Sequence, residues 1–189
     1  MSDANADLLQ RLLDSYSEPH RSYHTLQHLQ ECFTQLDSMR ASAERPAEIE
    51  LALWFHDAIY GTRSRDNEER SAQWAHESAL AGGTSVDVAD RIRDLILLTK
   101  HNAVPRGRDG EILIDVDLGI LSAEPARFDE YERQVREEYR WVIGPLYRRE
   151  RRRILQEFAS RPVIYFTSQF RASRERQARD NIARSLARL

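Results

Sequence analysis

The sequence predicts an all-α protein folded as a single compact multi-helix domain. Three observations lead there: nearly every segment carries apolar residues at helical spacing, the breaks between segments are short, and a chain of 189 residues with 41% hydrophobic content can fill one core. The first helix, residues 3–16, has an apolar stripe at Leu8, Leu9, Leu12 and Leu13, and Ser17-Glu18-Pro19 ends it. A second helix is expected over residues 20–37. Pro46 suits the first turn of a third, residues 47–57, which is apolar nearly all round at Leu51-Ala52-Leu53-Trp54-Phe55 and so belongs in the middle of the fold. A polar stretch leads to a helix over 67–80, and Gly82-Gly83 separates it from another over 85–101. Residues 102–110 read as a loop, and residues 112–121 are apolar with Asp115 and Asp117 embedded. Beyond Glu124-Pro125, charged helices are expected to residue 141, over 145–159, and from 168 to 189. Within the one domain, 1–189, the motifs described below occupy about 20–121, and an Arg-rich helical part covers about 122–189.

Composition narrows the function classes. The longest uninterrupted apolar run, residues 51–55, is far short of the roughly 18 residues that a membrane span needs. Residues 1–7 carry Asp3 and Asp7 with no basic residue, which does not fit a secretory signal, so a cytoplasmic location is expected. Cys32 is the only cysteine. A cysteine-based zinc module is therefore excluded, and any metal must be held by histidines and carboxylates. The net charge of −3 hides an asymmetry: from Pro145 onward, twelve arginines face four acidic residues. Guanidinium groups match phosphate oxygens, but a solvated helix face accounts for most such runs. Nucleic acid and membrane are not expected partners, and a homodimer is left open.

Chemistry concentrates at a few points. His56-Asp57 ends the most apolar helix, and an ionised carboxylate withdrawn from water needs a cation, a metal or several donors. The alternative is a capping or salt-bridged Asp57 beside a core His56. His24 and His28, four residues apart, are expected on one face of the second helix, roughly 160° from its apolar seam of Leu26, Leu29, Phe33 and Leu36. They face either a cleft or solvent, and His20 reads as surface. Asp115 and Asp117 repeat the problem of Asp57. Two imidazoles and two carboxylates from three segments would form a partly open N/O site for a divalent ion such as Mn, Mg, Fe or Zn, with activated water in the free positions.

His28, His56-Asp57 and Asp117, in that order and on helices, resemble the H…HD…D pattern of the HD superfamily of metal-dependent phosphohydrolases. Tyr23-His24-Thr25-Leu26-Gln27-His28 is also similar to the Tyr-His-Asn-x-x-His motif of the cyclic nucleotide phosphodiesterases in that superfamily. The resemblance covers residues 21–121. It implies His28, His56, Asp57 and Asp117 as ligands of one or two ions (Mn, Mg, Fe, Co or Zn), with Asp57 able to bridge two, and His24 as the group that protonates the leaving oxygen. The family's last aspartate precedes an Arg-Leu or similar pair, which favours Asp117, followed by Leu118, and leaves Asp115 in reserve. The His-Asp-x-x-Glu-Asp continuation of the stringent-response hydrolases is absent. The chain is too short for a full phosphodiesterase catalytic domain, and that family's purine-clamping glutamine has no counterpart. The nearest group is the compact bacterial HD hydrolases of undefined substrate.

Other residues are assigned supporting roles. Glu68 either orients the attacking water or simply favours a helix N-terminus. Lys100 and His101 either bind phosphate or a second ion, or His101 merely suits a negative helix end; other HD proteins use an extra histidine in a comparable region. Arg21 is a candidate phosphate clamp or a surface ion pair. Cys32 reads as a buried apolar thiol, Trp74, Trp141, Tyr139 and Tyr147 as helix packing, and His76 as surface. The expected activity is hydrolysis of a small phosphorylated metabolite, nucleotide or otherwise, by metal-activated water. The alternatives are an HD-type di-iron oxygenase and a non-catalytic binding module that uses the Arg-rich C-terminal helices.

Overall fold

The computed structural model describes residues 3–101 and 103–189. Among them are nine α-helices and no strand: α1 (Asp3–Tyr16), α2 (Leu26–Met39), α3 (Pro46–Phe55), α4 (Asn67–Ala81), α5 (Val86–Leu98), α6 (Arg108–Asp117), α7 (Pro125–Glu138), α8 (Gly144–Ser160) and α9 (Ser168–Arg188). Short 3₁₀ segments follow α2 and α6. Met1 and Ser2 of the expected signal-free N-terminus, and Asn102 of the expected loop, lie outside the described residues. No described helix is long and apolar enough to cross a membrane.

Local chemistry explains the helix ends. Prolines open α3, α7 and α8, where the missing N–H costs nothing. The side chains of Thr25, Ser85 and Thr167 accept hydrogen bonds from the first-turn N–H groups of α2, α5 and α9. The Thr25 cap corrects the expected start of the second helix: α2 begins at Leu26, so His24 precedes the helix instead of sharing a face with His28. α5 stops at Leu98, which places His101 beyond its end, and α6 begins at Arg108, inside the expected loop.

The centre of the fold is shared by α2, α3 and α6, which pack against one another, while α4 and α5 pair with each other and pack against α3, α5 also touching α6. α3 buries Ile49, Ala52, Leu53 and Phe55, but Leu51 is 40% exposed, so α3 is less enclosed than its sequence suggested. The more enclosed helix is α6, buried without interruption from Ile112 to Val116. Such a helix has no solvent side on which to place an aspartate. Asp115 meets the difficulty by accepting hydrogen bonds from Phe166 N (2.7 Å), Thr167 N (2.7 Å) and Thr167 Oγ1 (2.6 Å), which docks the start of α9.

Arg21 corrects another expectation. Its side chain is fully buried. Nη1 donates to the carbonyls of His24 (3.2 Å) and Asp57 (2.6 Å), Nη2 to that of Ala58 (3.1 Å), and Nε to Glu18 (2.9 Å). Those carbonyls lie in turns and lack helical partners, so a guanidinium fork satisfies them and is no longer available to clamp a phosphate. It ties the 17–25 segment to the residues after α3.

The C-terminal arginines are largely paired, Arg153 with Glu150, Arg179 with Glu175 and Arg184 with Asp129, as a solvated helical surface would be. Trp74 packs edge-on against Phe55, whereas Trp141 is 48% exposed beneath Arg63. His76 is partly buried and bonds Asp90 at 3.1 Å, so it is not a free surface residue.

Replacing Arg21 by Met would strand three carbonyls and Glu18. Chemical denaturation should show a loss of about 3 kcal/mol or more; a loss under about 0.5 kcal/mol would contradict the clamp.

Candidate metal centre

Three ends of the central helices meet in a cleft of about 520 Å³. α2 contributes His28 from its first turn, the C-terminus of α3 contributes His56 and Asp57, and the last residue of α6 is Asp117. His28 and His56 are buried at 2% and 1% exposure. Larger hollows exist elsewhere, but this one is lined by the histidines and aspartates.

The donor spacing is informative. The Nε2 atoms of His28 and His56 stand 3.2 Å apart. Asp117 Oδ1 lies 3.3 Å from the first and 3.5 Å from the second, and Asp57 Oδ2 lies 3.6 and 3.0 Å from them. Donors sharing one ion at about 2.0–2.2 Å stand about 3.0 Å apart at right angles and about 3.4 Å apart at the tetrahedral angle. His28, His56 and Asp117 therefore fit around one cation, with Asp57 Oδ2 within reach of both imidazoles. A ring-nitrogen argument agrees: His56 Nδ1 is 2.7 Å from Leu53 O, a pure acceptor, so Nδ1 carries the hydrogen and neutral His56 offers the lone pair of Nε2. Tyr23 Oη, 3.0 Å from His28 Nδ1, orients the other imidazole.

Charge points the same way. Asp57 and Asp117 are only 18% and 12% exposed, and among the described residues no lysine or arginine pairs with either carboxylate. Burial works to raise both carboxyl pKa values, yet the surrounding imidazoles hold both below the usual range: chiefly His56 and His24 for Asp57, and His101, His28 and His56 for Asp117. Conversely, burial favours neutral His56, and the charge of Asp57 with hydrogen bonds to Asp117 and Asp57 lifts it well above its ordinary value. A dication would take the place of these protons, since metal ligands must be deprotonated.

Cys32 is buried, with Sγ 3.7 and 3.8 Å from the two ring nitrogens of His28, and it joins His28, His56 and Asp117 in a cluster whose ligand atoms all lie within 4.8 Å of one another. Burial and the nearby carboxylates push its thiol pKa up, against thiolate formation. Cys32 thus stands among the groups that could hold a metal, which the sequence did not anticipate, while Asp57 lies outside that mutual cluster and reaches His56 Nε2 at 3.0 Å.

The remaining expected residues divide. His101 has positive φ (54°), rare for a residue with a Cβ, and its Nε2 lies 3.1 Å from Asp117 Oδ2, while its buried Nδ1 has no partner among the described residues. His24 lies beside the cluster, its ring centroid 6.0 Å from that of His28. Glu68 is half-buried on the cleft wall in the first turn of α4. Lys100 also lines the cleft, but its ammonium is paired with Glu69. Asp115 faces α9, away from the cluster.

The sequence reading missed Glu138, the last residue of α7. One oxygen accepts the backbone N–H groups of Ser22 (2.8 Å), Tyr23 (2.8 Å) and His24 (3.0 Å); the other lies 2.8 Å from His24 Nδ1 and 2.9 Å from Tyr60 Oη. Tyr60 stacks on His24 at 4.1 Å. His24 Nδ1–H thus donates to Glu138, and its Nε2 has no partner among the described residues. Burial lowers the His24 pKa, but the charge of Asp57 and the Glu138 contact prevail and raise it. Burial opposes the charge on Glu138 too, yet His24 and the backbone donors bring its pKa down to about 2. One signal was available: acidic residues at a helix C-terminus oppose the dipole, so Glu137-Glu138 there calls for a local reason. No protein-family model, curated protein or solved structure matches the chain.

Two predictions follow from the divided roles. Asp117→Asn should abolish tight metal uptake, measured by elemental analysis after dialysis, with stability kept, whereas Asp115→Asn should keep the metal and cost about 3 kcal/mol; the reverse pattern would contradict the assignment. Glu138, ordinarily near 4.5, is held near 2, so its ionised form stabilises the fold above pH 4.5 and that contribution is lost as pH falls toward 2. Glu138→Gln should remove about 3 kcal/mol at pH 7 and flatten the acid limb of the stability curve between those values. An unchanged acid limb would contradict the role.

Proposed function

We propose that this protein is a metal-dependent phosphohydrolase of the HD type, acting on a small phosphate ester with one or two divalent ions. The observation that carries the reading is the convergence of His28, His56, Asp57 and Asp117 at ion-sharing distances, in the order and context that resemble H…HD…D. When bound, the ion would lower the pKa of a coordinated water and neutralise charge on the phosphoryl oxygens.

The chain's own groups supply the rest. Glu138 fixes the tautomer and tilt of His24 and favours its protonated form, leaving Nε2–H free to pass a proton to the departing oxygen. Tyr60, stacked on the imidazole, limits its rotation. Glu68 has no ion-pair partner among the described residues, so it is available to orient the attacking water. His101 positions the second oxygen of Asp117, or serves a second ion through the same atom. Arg21 acts through the backbone, holding the carbonyls of His24 and Asp57 in place. The oxygenase and binding-module alternatives have no separate observation in their favour.

Phosphate release should be measured with Mn, Mg, Fe, Co and Zn in turn on simple monoesters and diesters. At least one metal should support turnover that chelation abolishes, and His24→Gln should lower kcat about 10²–10⁴-fold with metal content unchanged. Absence of phosphate release with every metal, or a His24→Gln enzyme as active as the original, would contradict the proposal.

A further inference from the structure

The metal-ligating side chains line one side of the cleft, and α8 lines another. Arg151, Ile154 and Phe158, spaced i, i+3 and i+7, fall on one helical face and all border the cleft. This face belongs to the Arg-rich segment that the sequence suggested was solvated. Arg151 is instead buried, held by Glu132 and lying 5.0 Å over the Tyr131 ring, so its charge is balanced within the wall. Leu155, between the lining residues, is fully buried, whereas Ile154 and Phe158 are only half-buried. Their exposed portions make apolar surface inside a cleft that is also lined by Asp57, Asp117 and Glu68.

The distance to the metal cluster is short. The Phe158 ring centroid stands 6.2 Å from that of His101, whose Nε2 touches Asp117. Arg161 lies 4.4 Å from the Phe158 ring centroid and donates from Nη2 to His101 O, so Phe158 is braced against the strained residue. A phosphoryl group held at the cluster would place the organic part of its ester within reach of Phe158 and Ile154. Ligand pockets of about 300–1,000 Å³ accept small molecules and orient them with apolar walls and few polar groups; this cleft, at about 520 Å³, is in that range.

We propose that the Ile154–Phe158 face of α8 selects the substrate, favouring phosphate esters whose organic part is aromatic or flat and apolar over small hydrophilic ones. The proposal rests on the phosphohydrolase reading and names the part of the molecule that decides which ester binds. Phe158 meets the flat group by stacking or edge contact, Ile154 supplies aliphatic contact, and Arg151 stiffens the wall without presenting an unbalanced charge.

The test uses the metal-loaded full-length protein and two probes, methyl phosphate and phenyl phosphate, with dissociation constants measured by calorimetry. The original protein should bind phenyl phosphate about tenfold more tightly than methyl phosphate, and Phe158→Ala should bring that ratio close to one, with the loss falling on phenyl phosphate. Phe158→Leu, which keeps an apolar plug in case the alanine variant unfolds, should lose at least half of the preference with a native melting curve. Methyl phosphate binding without a phenyl preference, or a preference that survives both substitutions, would overturn the α8 inference and leave the phosphohydrolase reading standing. Failure of both esters to bind the metal-loaded protein would overturn the reading and the inference together.

Discussion

Two carboxylates, Asp57 and Asp117, are held largely out of water with imidazoles as their ion partners among the described residues, and the arrangement of the central helix ends meets the need to compensate them. An unpaired buried carboxylate is too costly to persist. α6 offers no solvent face from Ile112 to Val116, so the two aspartates in its C-terminal half find partners inside: Asp115 takes the N-terminal donors of α9, and Asp117 takes the imidazoles of His28, His56 and His101. One aspartate thus anchors the C-terminal helix while the other, two residues on, faces the cluster. A cation among these donors would compensate the charge more completely than shared protons, because it would satisfy carboxylate oxygens and both Nε2 lone pairs at once.

The catalytic imidazole of the proposal is carried by an irregular segment, and two charged side chains make that segment stiff. Arg21 gathers carbonyls from 24, 57 and 58; Glu138 gathers N–H groups from 22, 23 and 24. Together they use up the polar backbone groups that a loop would otherwise offer to water. Reactive groups on loops need such support if they are to hold hydrogen-bonding geometry. The same contacts couple the N-terminal segment, the end of α3 and the end of α7.

Much of the helical order was legible because proline, Gly-Gly and cap residues mark helix ends by local chemistry; the boundaries of α3, α4 and α9 fell within a residue or two of the expectation. The cluster was legible because a carboxylate inside an apolar run is a local contradiction that demands a remote partner. What escaped was set by tertiary contacts. His24 looks helical by spacing from His28, but Thr25 competes for the N-cap. Arg21 looks like a ligand-binding arginine until the orphan carbonyls around it are known. Glu138 lies 114 residues from His24, and its helix-end position was only a weak signal. Cys32 was read correctly as buried, and its place one turn beyond His28 already set the two on one helical face, but a role for the thiol at the cluster was not anticipated.

The central claim is that His28, His56, Asp57 and Asp117 surround one ion. Anomalous diffraction from crystals grown with Mn or Zn tests it most directly. The account predicts a peak in the cleft within about 2.0–2.3 Å of His28 Nε2, His56 Nε2 and an oxygen from each aspartate. A cleft without a peak, or an ion bound elsewhere while these four side chains hydrogen-bond only to one another, would contradict it.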